Sequence, residues 1–175
     1  MTDRARQTAV GTVLRGALIN GTVAAVASTA AAVLGARAQA IPIAGPVNAV
    51  SHWAWGDTAA ARQNRVSVRY TLTGLLTNHA AAVFWALGYE LLRPRARPLT
   101  PAGALARGAA VSAIAYVVDY HVVPRRLTPG YELRLSNRSV ALIYGAIALA
   151  LPLRDLLRRH SRASRGRQSH RFSTL

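Results

Sequence analysis

Twenty consecutive residues, GALINGTVAAVASTAAAVLG (16–35), carry no charge, and three further stretches nearly as apolar follow at intervals filled with arginine. A hydrocarbon core about 30 Å thick takes about 20 apolar residues to cross as a helix. Backbone polar groups find no water there, so a spanning segment must satisfy its own hydrogen bonds. The runs 16–35, 70–92, 101–123 and 139–157 therefore predict an all-α integral membrane protein, a four-helix bundle occupying residues 1–157, followed by a basic, disordered cytoplasmic tail over 158–175. Composition agrees: 51% hydrophobic residues coexist with a net charge of +16, and the mean hydropathy of +0.18 averages membrane-like runs with very basic connectors. The absence of Cys excludes zinc–thiolate and iron–sulfur sites, and the absence of Lys excludes a Walker-type phosphate loop.

Local signals mark the ends of the runs. Pro94 and Pro124 follow the second and third, Ser136 and Asn137 are placed to cap the fourth, and Pro152 predicts a kink in its last turn. Arg4 and Arg6 precede the first run, and Ala38-Gln39-Ala40 resembles a signal-peptidase site. The run exceeds the 7–15 apolar residues typical of a signal peptide, so it reads as a retained anchor. Its small residues form two neighbouring rows, Ala17/Gly21/Ala25/Thr29 and Asn20/Ala24/Ser28/Ala32, suited to close packing within the bundle or across a homodimer.

Fourteen Arg fall in the N-terminus, the 93–107 connector and the tail, against eight in the 36–69 and 124–138 connectors, so both termini are predicted to be cytoplasmic, in a bacterial inner membrane. The outer 36–69 connector contains IPIAGPVNAVSHWAWGD (41–57), which predicts a short interfacial or re-entrant helix starting near Pro46, with Trp53 and Trp55 as interface anchors. YELRLSNRS (131–139) alternates charge and reads as a hydrated loop. Seven Arg over residues 154–175 suit contact with anionic lipids; without an aromatic platform or folded basic module, nucleic acid is not the expected partner.

Polar residues inside the runs need partners, because ionisable groups in hydrocarbon are costly. Arg15 and Arg107 sit near the cytoplasmic ends of their spans and are expected to snorkel. Glu90, at similar depth, is expected in an ion pair with Arg93 or Arg107. His79 lies about nine residues, or roughly 14 Å at 1.5 Å per residue, below the outer end of its helix. Asn78 adjoins it and Thr71, Thr73 and Thr77 lead down to it. In the third run, Gly108, Ser112, Ala115 and Asp119 form one stripe. Asp119 is thus expected to face inward, with His121, two residues on, to another side.

The predicted topology puts Asn48, His52, Asp57, Asp119 and His121 on the outer face with His79 beneath. His52, His79, Asp119 and His121 are then candidate ligands for a metal ion or haem, supported by Asp57, Asn48 and Asn78. No His-x-x-x-His or Glu-x-x-His motif is present, so this convergence rests on topology alone. The function that asks least of these residues is that of a small polytopic inner-membrane protein of structural or accessory type. The alternatives are a metal- or haem-binding redox or sensory protein, then a small dimeric transporter. A hydrolase built on Ser51 beside His52 has least support.

Overall fold

The computed structural model describes residues 3–93 and 100–157, with side chains from residue 7 onward; the predicted tail over 158–175 lies outside the described residues. The order is α1 (Asp3–Ala38), α2 (Ala44–Val50), α3 (His52–Trp55), α4 (Asp57–Ala61), α5 (Thr73–Leu91), α6 (Pro101–Val117) and α7 (Asn137–Ala150), with no strand among the described residues. Three helices are long and apolar enough to cross a membrane: Gln7–Ala38, Pro101–Val122 and Asn137–Leu157. The expected second span is also a helix, α5, but Thr77, Asn78, His79 and Glu90 keep it out of that group.

Polarity is distributed as a bilayer favours. The most exposed side chains on the long helices include Val26, Phe84, Leu142 and Leu149, whereas Asn20, Ser28, Glu90, Arg107, Ser112 and Asp155 are buried. Close approach rests on residues without bulk. A Cβ at Gly21 would lie 2.6 Å from the Val83 Cα, so α1 meets α5 backbone to backbone there. Both small rows of α1 turn into the bundle, since Ala17, Ala24, Ala32 and Asn20 are all at most 2% exposed. A core of Ala17, Ala24 and Ala25 with Ala86, Tyr89 and Val111 occupies one half of the bundle. A second core of Ala115, Tyr131, Ile143 and Tyr144 occupies the other, and Trp85 packs against both.

Helix starts follow local chemistry in some places and tertiary contacts in others. Thr100 caps α6 by accepting the Gly103 N–H at 3.0 Å, with Pro101 in the first turn. The expected side-chain cap of α7 does not form: the Ser136 N–H instead donates to Gln39 Oε1 at 3.0 Å, because the 39–41 turn lies within reach. The helical run after α7 breaks at Leu151–Pro152, where proline has no N–H to give, and resumes to Leu157. The 131–139 loop departs from its hydrated reading. Tyr131 and Leu135, one helical turn apart, are 4% and 5% exposed and complete the second core, while the intervening Glu132 and Arg134 are half-buried and hydrogen-bonded to neighbouring segments.

Two segments widen into π-helical turns, Val68–Leu72 ahead of α5 and Val118–Val122 after α6. Such turns re-aim side chains relative to an α-helix. The second contains Asp119, Tyr120 and His121.

Candidate functional site

Polar side chains gather at two levels. At the first, where α5 ends and α6 begins, Glu90 and Asp155 are 5% and 6% exposed. Asp155 Oδ1 lies 3.0 Å from Arg93 Nη2, and Oδ2 lies 3.2 Å from Arg107 Nη2 while accepting the Tyr89 hydroxyl at 3.0 Å. Glu90 accepts Asn20 Nδ2 at 2.8 Å and faces Arg93 at 3.7 Å and Arg154 at 3.8 Å. Gly16 makes room for that carboxylate, since a Cβ there would sit 2.6 Å from Glu90 Cδ. The Arg107 guanidinium also stacks 4.0 Å above the Tyr89 ring. One network thus ties α1, α5, α6 and the segment after α7.

One expectation changes here, and the Glu90 pairing falls to Arg93 rather than Arg107. Arg107 does not snorkel: its side chain is 8% exposed, turned inward by the carboxylate and the aromatic face. Its ion-pair partner is Asp155, and Glu90 pairs with Arg93 and Arg154. The sequence marks Asp155 only as a lone acid among the arginines of RDLLRR, and Asn20 only as a member of a close-packing row of α1.

At the other level, α2 is buried along its whole length between the long helices. Asn48 is its anchor. Its Nδ2 donates to the carbonyls of Gln63 and Arg65 at 3.0 Å each, and its Oδ1 accepts the Thr71 hydroxyl at 2.6 Å. His52, 1% exposed, has Nδ1 2.8 Å from Asp57 Oδ1 and Nε2 2.8 Å from the Thr128 carbonyl oxygen. Both partners are acceptors, so a ring carrying both N–H groups makes both bonds and a neutral ring makes one. Trp53 Nε1 donates to the same carbonyl at 2.6 Å, and Trp55 Nε1 donates to the Arg69 carbonyl at 2.9 Å. Arg125 Nε stands 3.7 Å from Asp57 Oδ2. His52 and its neighbours therefore fasten the 124–130 loop to the short helices.

The remaining candidates lie elsewhere. Asp119 accepts the Tyr144 hydroxyl at 2.7 Å, and Tyr120 donates to Glu132 at 3.1 Å. His121 is exposed and meets Tyr116 edge-on at 5.8 Å. Asn78 turns to α1, donating to the Ala25 carbonyl at 3.2 Å and to the Ser28 and Thr29 hydroxyls at 3.1 and 3.2 Å. His79 has no hydrogen-bond partner among the described residues and lines a groove between α1 and α5. Of the seven residues expected at a metal site, the structure joins His52 to Asp57. Among the described residues no group of three or more His, Asp or Glu side chains is placed to hold a metal ion.

Tyr131, outside the spans, is 4% exposed, and burial pushes its hydroxyl above the ordinary value near 10. A raised folded-state value means that the neutral phenol stabilises the fold below that ordinary value and that this contribution is lost as pH climbs beyond it. Melting midpoints in detergent between pH 9 and 11 should fall more steeply for the native chain than for Tyr131→Phe. Equal slopes would contradict this.

Neither a family model nor any curated protein or solved structure matches the chain.

Proposed function

We propose that the chain is a structural or accessory protein of the bacterial inner membrane, in which α5 crosses as a fourth helix and both termini are cytoplasmic. The observation that carries this reading is that the inward-facing polar groups are spent on joining elements. Glu90 bonds α1, Asp155 bonds α5 and α6, Asn78 bonds α1, and Ser112 and Asp119 bond α7. Asn78 also borders the groove between α1 and α5, but its amide is already committed to α1. The depth of α5 follows from its partner: from Gly16–Glu90 to Ala25–Asn78 it runs antiparallel to α1, whose length and hydropathy suit a span. The arginine asymmetry supports the orientation, with α2 to α4 forming an outer cap and the tail meeting anionic lipid.

The chain has no native cysteine, so single-cysteine variants report topology directly. Thr58→Cys and Arg126→Cys should react with an impermeant maleimide added outside, and Ala102→Cys only after permeabilisation. Thr58→Cys and Ala102→Cys labelling from the same side would exclude α5 as a span. Stoichiometric metal or haem in the purified protein, lost in His52→Ala, would overturn the accessory reading.

A further inference from the structure

The groove between α1 and α5 has a volume of about 500 Å³, within the range of small-molecule sites, which are mostly apolar with a few polar groups that fix orientation. Leu75, Leu76, Val26 and Ala30 supply the apolar walls, and Thr29, Asn78 and His79 the polar lining. Asn78 is committed to α1 and Thr29 accepts from it. His79 alone of the three makes no hydrogen bond among the described residues. Val26 is 65% and Leu76 60% exposed, so the groove opens sideways, away from the bundle axis.

An ionisable side chain in hydrocarbon usually faces a partner or a cavity. Lipid acyl chains filling this groove would leave the imidazole unpaired. The occupant that satisfies both walls and ring is an apolar body that presents a hydrogen-bonding oxygen to the imidazole. We propose that the groove binds a lipophilic ring carbonyl compound of the isoprenoid-quinone class, its oxygen taking the His79 N–H and its body lying along Leu75, Leu76 and Val26. A neutral imidazole has one donor and one acceptor, so the same ring also accepts from the hydroxyl of the reduced form. The inference rests on the reading that α5 lies within the bilayer.

The test uses the full chain in lipid nanodiscs, titrated with a decyl-substituted benzoquinone and followed by quenching of tryptophan fluorescence, with decylbenzene as a carbonyl-free control. The expected result is saturable one-to-one binding absent for decylbenzene, weakened at least tenfold by His79→Leu and partly retained by His79→Gln, with both variants melting as the native chain does. Equal affinity in the native chain and His79→Leu overturns the proposal, as does absence of saturable binding. His79→Cys separates the causes. A thiol shielded from aqueous maleimide with no quinone binding sinks the ligand alone, and a freely labelled thiol sinks the membrane placement of α5. A disulfide joining two chains at residue 79 would show a second copy covering the groove, which also overturns the proposal.

Discussion

Asp155→Ala is expected to destabilise the bundle by about 3–5 kcal/mol, the cost of removing one partner from a buried ion pair. Asp155 is 6% exposed and holds two guanidinium groups and a phenol. Its loss leaves Arg107, 8% exposed at the side chain, with no carboxylate on its Nη2 and only the Tyr89 ring beneath it. Arg93 fares better: it is 39% exposed and keeps Glu90. The damage therefore falls on the α6 contact, which should loosen first. Replacing both members with apolar residues, Asp155→Leu with Arg107→Met, should cost less than Asp155→Ala alone, because well-packed apolar residues can substitute for a buried pair without leaving a charge behind. Reversible unfolding in mixed micelles measures all three. His121→Ala serves as a control expected within about 0.5 kcal/mol of the native chain, since the side chain is exposed. A loss under about 1 kcal/mol for Asp155→Ala would mean that water or lipid headgroups already solvate the network, a surface-like regime.

The helices were legible in the sequence because hydrophobic run length is a one-dimensional property. Depth was legible for the same reason: counting residues along each run put Glu90 at the level of Arg107, and the two share a network. Azimuth was not legible. Residues at equal depth can face different neighbours: His52, Asp119 and His121 share the predicted outer level, yet they meet Thr128, Tyr144 and Tyr116 respectively. His52 and Asp57 do meet, being five residues apart across the Gly56 turn, so local geometry brings them together. Arg107 was assigned to the surface because its partner is 48 residues away, beyond any local pattern. The stretch YVVDYHVV held a further surprise. A straight α-helix keeps a fixed angular step, whereas the π turn at Val118–Val122 gives Asp119 and Tyr120 inward partners together, on Tyr144 and Glu132, while His121 stays out. Alternating charge likewise hid Tyr131 and Leu135, since two buried hydrophobic residues in nine carry little weight in composition yet close the second core.

Gly130→Ala should cost about 2–5 kcal/mol, combining about 1–2 kcal/mol for an L-residue in the left-handed region with an overpacking penalty of about 1–3 kcal/mol. Gly130 has φ +86°, and a Cβ there would lie 2.7 Å from both the Ala49 carbonyl oxygen and His52 Cδ2. The first of these atoms is backbone of the buried α2 and the second belongs to a buried ring with each nitrogen 2.8 Å from an oxygen, so neither yields cheaply. Gly56 gives the comparison. Its φ is +81°, but a Cβ there meets nothing within 4 Å, so Gly56→Ala carries the backbone cost alone. The difference between the two variants isolates the contact between the 124–130 loop and the short helices. If that loop is fastened through His52, Gly130→Ala should also speed proteolysis between Pro124 and Gly130 and shift the Trp53 emission, because the Thr128 carbonyl that accepts from both rings would move away. Equal losses for the two alanine variants, with no change in cleavage, would mean that the loop retreats without strain and that His52 does not hold it.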